Sequence, residues 1–402
     1  MSLLLWEKWF GTTVDEPLLI RLVKAKQKRS IESLKSTLFF HPRLTILRSA
    51  LMHEYPELTR AYEDMQEQSE LYRPTVFWAE ASARIVTELC TYGVECLRSL
   101  PSSPYFFAPT YGIPGNGFTK EQSEGLRDWL QHRFPKDRKP QLALDQFLTG
   151  EMWALTDYRV LLAADDPQRL PHLHTFSESS FGEPLEHFEF DGRRFSRSSL
   201  NYLLGLAMLK KHLDGDVPRT VMEIGGGFGT LGELLSGAGL DGLRYIDFDI
   251  PPMSFVAQHY LSEVLGPDKV ATYAQTRDQL SIDVNLLPQA SVLCSWQIER
   301  LQGQVDLFVN FISFQEMEPQ IVQNYLDHVA RLGTRWVLLR NLREGMIVRK
   351  DNSSFGVNTP IMSDNYLAML PGYELVECNV LPFGYRTVDG FHSEVLLLRC
   401  KT

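Results

Sequence analysis

The sequence predicts an α/β protein. A doubly wound, mostly parallel sheet fills the C-terminal half, closed by an antiparallel hairpin and preceded by a mainly helical N-terminal half. Three observations carry this expectation. After residue 215, short apolar runs alternate with helix-period stretches. One of those runs opens into a cluster of glycines. The last two runs are joined by LPFGYRTVDGFH, in which no helix fits.

The elements follow in order. Apolar residues recur at three- and four-residue intervals in 18–38, 74–100 and 121–134, which predicts helices there. Between them, LPSSPYFFAPTYGIPGNGFTK (100–120) is rich in Pro, Gly and aromatics and reads as a loop, either packed or serving as a lid. Strands are expected at RTVMEI (219–224), LRYIDFD (243–249), ASVLCSW (290–296), VDLFVNF (305–311) and RWVLLRN (335–341). Helical segments lie between these strands, which implies parallel crossovers. YELVECNVL (373–381) and SEVLLLRC (393–400) then form the hairpin, so the last strand runs antiparallel. The expected domains are 1–195 and 196–402.

Composition excludes several classes. The 402 residues are 44% hydrophobic and 22% charged, which rules out whole-chain disorder. Fifty acids against 40 bases give a net charge of −10, and a dedicated nucleic-acid binder needs a basic face. Cys90, Cys96, Cys294, Cys378 and Cys400 make no CxxC pair or Cys/His cluster. Neither a metal site nor a disulfide framework is expected, and a reducing cytoplasm is the default. No apolar run approaches the ~18 residues that span a bilayer. The start, MSLLLWEKWFGTTVDE, lacks a basic n-region and reads as a helix packed on the body.

The strongest signal is TVMEIGGGFGTLGELL (220–235), a strand running through Gly225, Gly226, Gly227 and Gly229 into a helix. Glycines permit a tight turn and close approach of a ligand to the backbone, and the helix start offers free N–H groups. Gly227, Gly229 and Gly232 formally fit GxGxxG, the fingerprint of an NAD(P)-dependent oxidoreductase. A methyltransferase site fits better. Glu223 places a carboxylate two residues before the turn, suited to a cationic methionine moiety, and the sheet closes in an antiparallel hairpin. Asp247 and Asp249, about 20 residues on, suit a ribose diol in either case.

E-I-G-G-G-F-G and I-D-F-D resemble the class I S-adenosylmethionine-dependent methyltransferase superfamily, whose Rossmann-like sheet ends in such a hairpin. FEFDGRRFSRSSLNYLLGLAMLKKH, MEIGGGFGTLGELL, YIDFDIPPMSFVAQHYL and VDLFVNFISFQEM, spanning roughly residues 180 to 317, are together similar to the sugar O-methyltransferase family of natural-product and surface-glycan clusters. The resemblance implies S-adenosylmethionine as cofactor and a sugar or glycoside hydroxyl as acceptor. It also implies that Ser198, Asn201 and Tyr202 reach the cofactor.

In such a site the amides of Gly225 to Gly229 would face the amino-acid end and ribose, with Glu223 near the amino group. Asp249 is preferred over Asp247 for the diol, because it lies at the carboxyl end of its strand. Ser295 or Gln297 would meet the adenine, and Trp296 would stack on it or sit in the core. NFISFQEM (310–317) would face the methyl, making Glu316 and Asn310 candidates and Gln315 an orienter. His392, at the start of the antiparallel strand, is the second candidate base; His259 and His328 read as surface or satisfied. The loop 340–367 holds Arg340, Arg343, Arg349 and Lys350, either solvated or gripping a diphosphate, with Asn341, Asp364 and Tyr366 suited to sugar hydroxyls. The N-terminal half is expected to cover the cleft, shape the acceptor pocket or mediate a homodimer. A phenol or amine acceptor, and a non-catalytic binding scaffold, are the remaining alternatives.

Overall fold

The structure is a computed structural model and describes residues 54–106, 120–350, 353 and 355–401. The helix expected at 18–38 and most of the loop at 100–120 lie outside the described residues. Helices α1 (Pro56–Gln66), α2 (Val76–Tyr92), α3 (Ser103–Phe106), α4 (Lys120–Arg133), α5 (Arg138–Thr149) and α6 (Glu151–Ala164) come first. A small hairpin, β1 (Phe188–Phe190) with β2 (Arg193–Phe195), leads into α7 (Arg197–Lys210).

The sheet region then runs through β3 (Thr220–Ile224), α8 (Thr230–Ser236), β4 (Arg244–Asp249), α9 (Met253–Leu265), β5 (Val270–Ala271), α10 (Tyr273–Thr276), β6 (Ile282–Asp283), β7 (Ala290–Cys294) and β8 (Leu301–Gln302). It finishes with β9 (Leu307–Phe311), α11 (Pro319–Arg331), β10 (Trp336–Leu342), α12 (Ser363–Met369), β11 (Tyr373–Asn379), β12 (Tyr385–Arg386) and β13 (His392–Cys400). The strand order is β11–β13–β10–β9–β3–β4–β7–β5. Pairing is parallel from β10 through β9, β3, β4 and β7 to β5. β13 inserts between β10 and β11 and is antiparallel to both. This is the doubly wound sheet with antiparallel closure that the sequence predicts.

The order positions the site. β3 has β4 on one side and β9 on the other, so the connections leave its carboxyl end in opposite directions. That reversal opens a crevice where ligands bind in open α/β sheets. Strands buried on both faces account for the near-continuous apolar runs. Val221 and Met222 of β3 enter different apolar layers, one shared with α7 to α9 and the other with α11 and α12. The first layer also contains Ile85, Leu89 and Tyr158, so α2 and α6 share a core with the sheet. α7 is buried throughout, its polar residues included, the signature of a helix packed between layers and not of a surface amphipathic one. Its N-cap is Ser196, in a reciprocal capping box with Ser199. No helix among the described residues is long and apolar enough to cross a membrane.

Candidate active site

The crevice lies at the carboxyl ends of β3, β4, β7 and β9, and Gly225, Gly226 and Gly227 form its floor. Two of these glycines are required for different reasons. At Gly226 a Cβ would stand 2.7 Å from Asp247 Oδ1 and 2.8 Å from Glu223 Oε2, so a side chain is excluded by the carboxylates behind the turn. At Gly227 a Cβ would meet nothing, but φ is +66°, a left-handed conformation natural to glycine. The turn therefore presents bare backbone to open space.

Three carboxylates stand behind or beside that turn. Glu223 is fully buried and accepts hydrogen bonds from Tyr202 Oη at 2.6 Å and Tyr245 Oη at 2.5 Å. It does not border the crevice; Tyr202 stands between them and does. The expectation that Glu223 approaches the ligand is thus replaced by a placement one side chain back. Asp247, also fully buried, accepts from the Gly226 amide at 3.1 Å. Asp249 borders the crevice, with Oδ1 accepting from Ile250 N at 2.7 Å. Burial, and then repulsion from Asp247, hold the Asp249 carboxyl well above the usual carboxylate range. Burial and Asp247 raise Glu223 likewise. Such a cluster favours a ligand that brings hydroxyl donors or positive charge.

Ser198 and Ser295 also border the crevice, and Ser295 Oγ donates to Tyr72 O at 3.0 Å. Gln297 does not. Its Oε1 accepts from Cys294 N at 2.8 Å and its Nε2 donates to Thr276 Oγ1 at 3.1 Å, so it caps the chain after β7. Trp296 is a core residue, edge-on to Tyr273. Asn310 is fully buried as a staple: its Nδ2 donates to Ile224 O at 2.9 Å and Ser313 Oγ at 2.6 Å, tying β9 to the end of β3.

The chain after β9 turns sharply at Ile312, whose φ of +76° is strained for a β-branched residue. That turn sends Ser313 and Glu316 to the crevice. Glu316 is buried, and Trp78 Nε1 of α2 donates to its Oε2 at 2.8 Å. Phe311 stacks on Tyr202 with ring centroids 4.9 Å apart and planes 8° off parallel.

The remaining sequence candidates stand elsewhere. Arg340 is fully buried in the sheet, donating to Ser393 Oγ at 3.2 Å and Asn201 O at 3.1 Å. It cannot reach a substrate from there, because its alternation on β10 points it into the layer under α7. Gln315 accepts from Leu342 N at 2.7 Å, and Asn341 Oδ1 accepts from Gln315 N at 3.2 Å; both brace the loop from beneath. Tyr366 is fully buried, stacked with Phe314. His392 Nδ1 lies 2.6 Å from Glu344 Oε1, and Arg343 Nη2 lies 2.8 Å from the same ring nitrogen. None of these six borders the crevice. His328 contacts Tyr72 Oη at 3.1 Å and is half-buried. No group of three or more His, Cys, Asp and Glu among the described residues is arranged to hold a metal ion.

Sequence reasoning expected the N-terminal half to cover the cleft, shape the acceptor pocket or mediate a homodimer, but singled out none of its residues. Arg73, Pro74, Thr75, Trp78 and Phe106 all border the crevice. Phe106 belongs to the stretch read as a loop, packed or serving as a lid, of which Ser103–Phe106 instead forms the short helix α3. Trp78 carried no signal beyond its place in a helical pattern, since its partner is 238 residues away.

No protein-family model matches the chain, and no curated protein matches it. Among solved structures it is similar to magnesium protoporphyrin IX methyltransferase from Synechocystis PCC 6803 with bound SAM, at 15% identity and a TM-score of 0.34, over 51% of this chain and 81% of that one. It is also similar to mitomycin 7-O-methyltransferase MmcR, at 15% identity and a TM-score of 0.33, over 96% and 100%. A third is the CcbJ methyltransferase from Streptomyces caelestis, at 12% identity and a TM-score of 0.33, over 51% and 95%. Likeness of this degree concerns the fold alone, which the strand order establishes independently: a doubly wound sheet with an inserted antiparallel strand and a glycine turn at its switch point.

Proposed function

We propose that this chain is an S-adenosylmethionine-dependent O-methyltransferase acting on a sugar hydroxyl. The observation that carries the proposal is the crevice itself: bare glycine amides and a strand-end carboxylate, Asp249, occupy the same cavity as a buried carboxylate, Glu316. The residues fit the cofactor. The open space at Gly227 admits a ligand against the backbone, Asp249 suits a ribose diol, and the surplus of carboxylate over cation beside the turn suits a sulfonium. When bound, S-adenosylmethionine supplies an activated methyl and a neutral thioether leaving group.

The protein's part is to orient, exclude water and hold a proton. Orientation can be worth roughly 7–11 kcal/mol. A sugar hydroxyl is a weak nucleophile, and a base within reach adds about 10²–10⁴-fold. Glu316 takes that role, with the Trp78 N–H fixing one of its oxygens. Tyr202 and Phe311 form a paired aromatic wall, and the Tyr202 hydroxyl is anchored on Glu223. Glu223 is therefore a positioning residue. The N-terminal half completes the site through Trp78 and Phe106.

Calorimetric titration with S-adenosylhomocysteine and with NAD tests the assignment. Binding of the nucleoside thioether, and not of the dinucleotide, is expected. The reverse order of affinities would overturn it.

A further inference from the structure

The helical half meets the crevice walls from both ends of α2. Trp78, in the first turn of α2, donates to Glu316. Arg98, just beyond its last turn, packs on the glycine turn. Arg98 does not border the crevice, but Phe228 of the turn does, and the guanidinium carbon stands 4.7 Å from the centroid of that ring. Nη2 of Arg98 donates to Glu178 Oε1 and Nη1 to Ser179 O, each at 2.9 Å. Glu178 is fully buried and accepts also from the amide and hydroxyl of Ser196 and from the hydroxyl of Ser199, the capping residues of α7. Ser198, in the first turn of α7, borders the crevice as well. One carboxylate thus fixes both the guanidinium on the turn and the start of the helix beside it.

Two features separate this arrangement from ordinary core packing. Phe228 sits between Gly227 and Gly229, with φ of +66° and +99°, so the backbone on either side of it is the least restricted by sterics. What the ring packs against therefore sets where it stands. Tyr260 of α9 meets it edge-on, with centroids 4.9 Å apart, and Tyr260 is itself held by Glu233 at 2.7 Å. Arg98 covers the face of the ring. The second feature is energetic. A buried ion pair carries a desolvation cost that its attraction only offsets, so apolar residues of like volume would fill the same space without loss of stability. A planar guanidinium held by hydrogen bonds instead defines the position of the ring on which it stacks.

We propose that Arg98 is a positioning residue for the amino-acid end of the cofactor, acting through Phe228. The inference rests on the proposed function, in which the glycine turn receives that end, and adds to it a residue from the helical half.

The test compares calorimetric affinities of the full chain for S-adenosylhomocysteine and for 5′-methylthioadenosine, which lacks the amino-acid end. Arg98→Met should weaken the first about tenfold, the scale of a desolvated cation–ring contact, and the second less than about twofold. Arg98→Lys keeps a cation for Glu178 but loses the planar stack, and should show the same selectivity with about a threefold loss. It is the variant read if Arg98→Met does not fold. Phe228→Leu should reproduce the selective loss, and Arg98→Lys added to it should cost no more than about a further 1.5-fold. A merely structural role would weaken both nucleosides alike. Equal losses for the two, an unchanged affinity for S-adenosylhomocysteine in a folded variant, or full additivity with Phe228→Leu would each overturn the inference alone. Failure of the native protein to bind either nucleoside would overturn the methyltransferase reading and this inference with it.

Discussion

The two ends of the crevice are built differently. At the glycine end, Gly225 to Gly227 and Asp249 come from two adjacent parallel strands, and their register is set by the ladder that pairs Glu223 with Asp247. At the Glu316 end, the walls come from α2, the turn after β9 and the loop after β10, the first of them more than 200 residues before the other two. The first end is mostly backbone and acid. The second is one carboxylate among aromatic rings. Glu316 stands where the two meet.

This contrast can be broken most forcefully at Glu316. Glu316→Gln should lower kcat by about 10²–10⁴-fold, measured as labelled methyl transfer to any acceptor the native protein methylates, with thioether affinity changed less than about threefold. Equal losses in both quantities would mean that the two ends are not separable. Asp249→Ala should do the opposite and weaken S-adenosylhomocysteine about 100-fold, near 2.7 kcal/mol, as read by calorimetry. Normal binding would remove Asp249 from the site.

Trp78→Phe sharpens the comparison further. It keeps a ring on α2 but deletes the N–H bonded to Glu316. About a tenfold fall in kcat is expected, in line with a hydrogen bond to a charged group, together with a displaced pH–rate profile; a merely structural role would move neither the profile nor kcat. The smallest effect concerns a buried acid on the helix that follows the glycine turn. Glu233 of α8 accepts from Ser179 N and Tyr260 Oη, each at 2.7 Å, and burial pushes its carboxyl up to about 7. A carboxyl raised on folding stabilises the protein fully below its ordinary value of 4.5, and that contribution is lost as pH rises through 7. Urea unfolding should therefore show stability falling by about 1 kcal/mol from pH 6 to pH 8 through this group. Glu233→Gln should flatten the fall, and a stability rising over that interval would contradict it.

The sheet and the glycine end were readable because their information is local. Strand runs, the change of period at residue 215, the turn before α8 and the strand-end position of Asp249 all depend on neighbours within a few residues or on one ladder. Ser198, Tyr202, Ser295 and Glu316, singled out from sequence blocks, do border the crevice. Glu223, Gln297, Asn310 and Arg340 were singled out on the same grounds and stand behind it. Which way each of these side chains faces was settled by its hydrogen-bond partners.

By itself, the sequence determined the order of strands and helices, the antiparallel closure and the place of the glycine turn, since backbone conformation and alternation are short-range properties. Only the tertiary structure decided that Trp78 meets Glu316 and that Tyr202 screens Glu223. Those pairings join residues more than twenty positions apart, up to 238, and they exist because packing brings α2 to the turn after β9 and α7 to the end of β3.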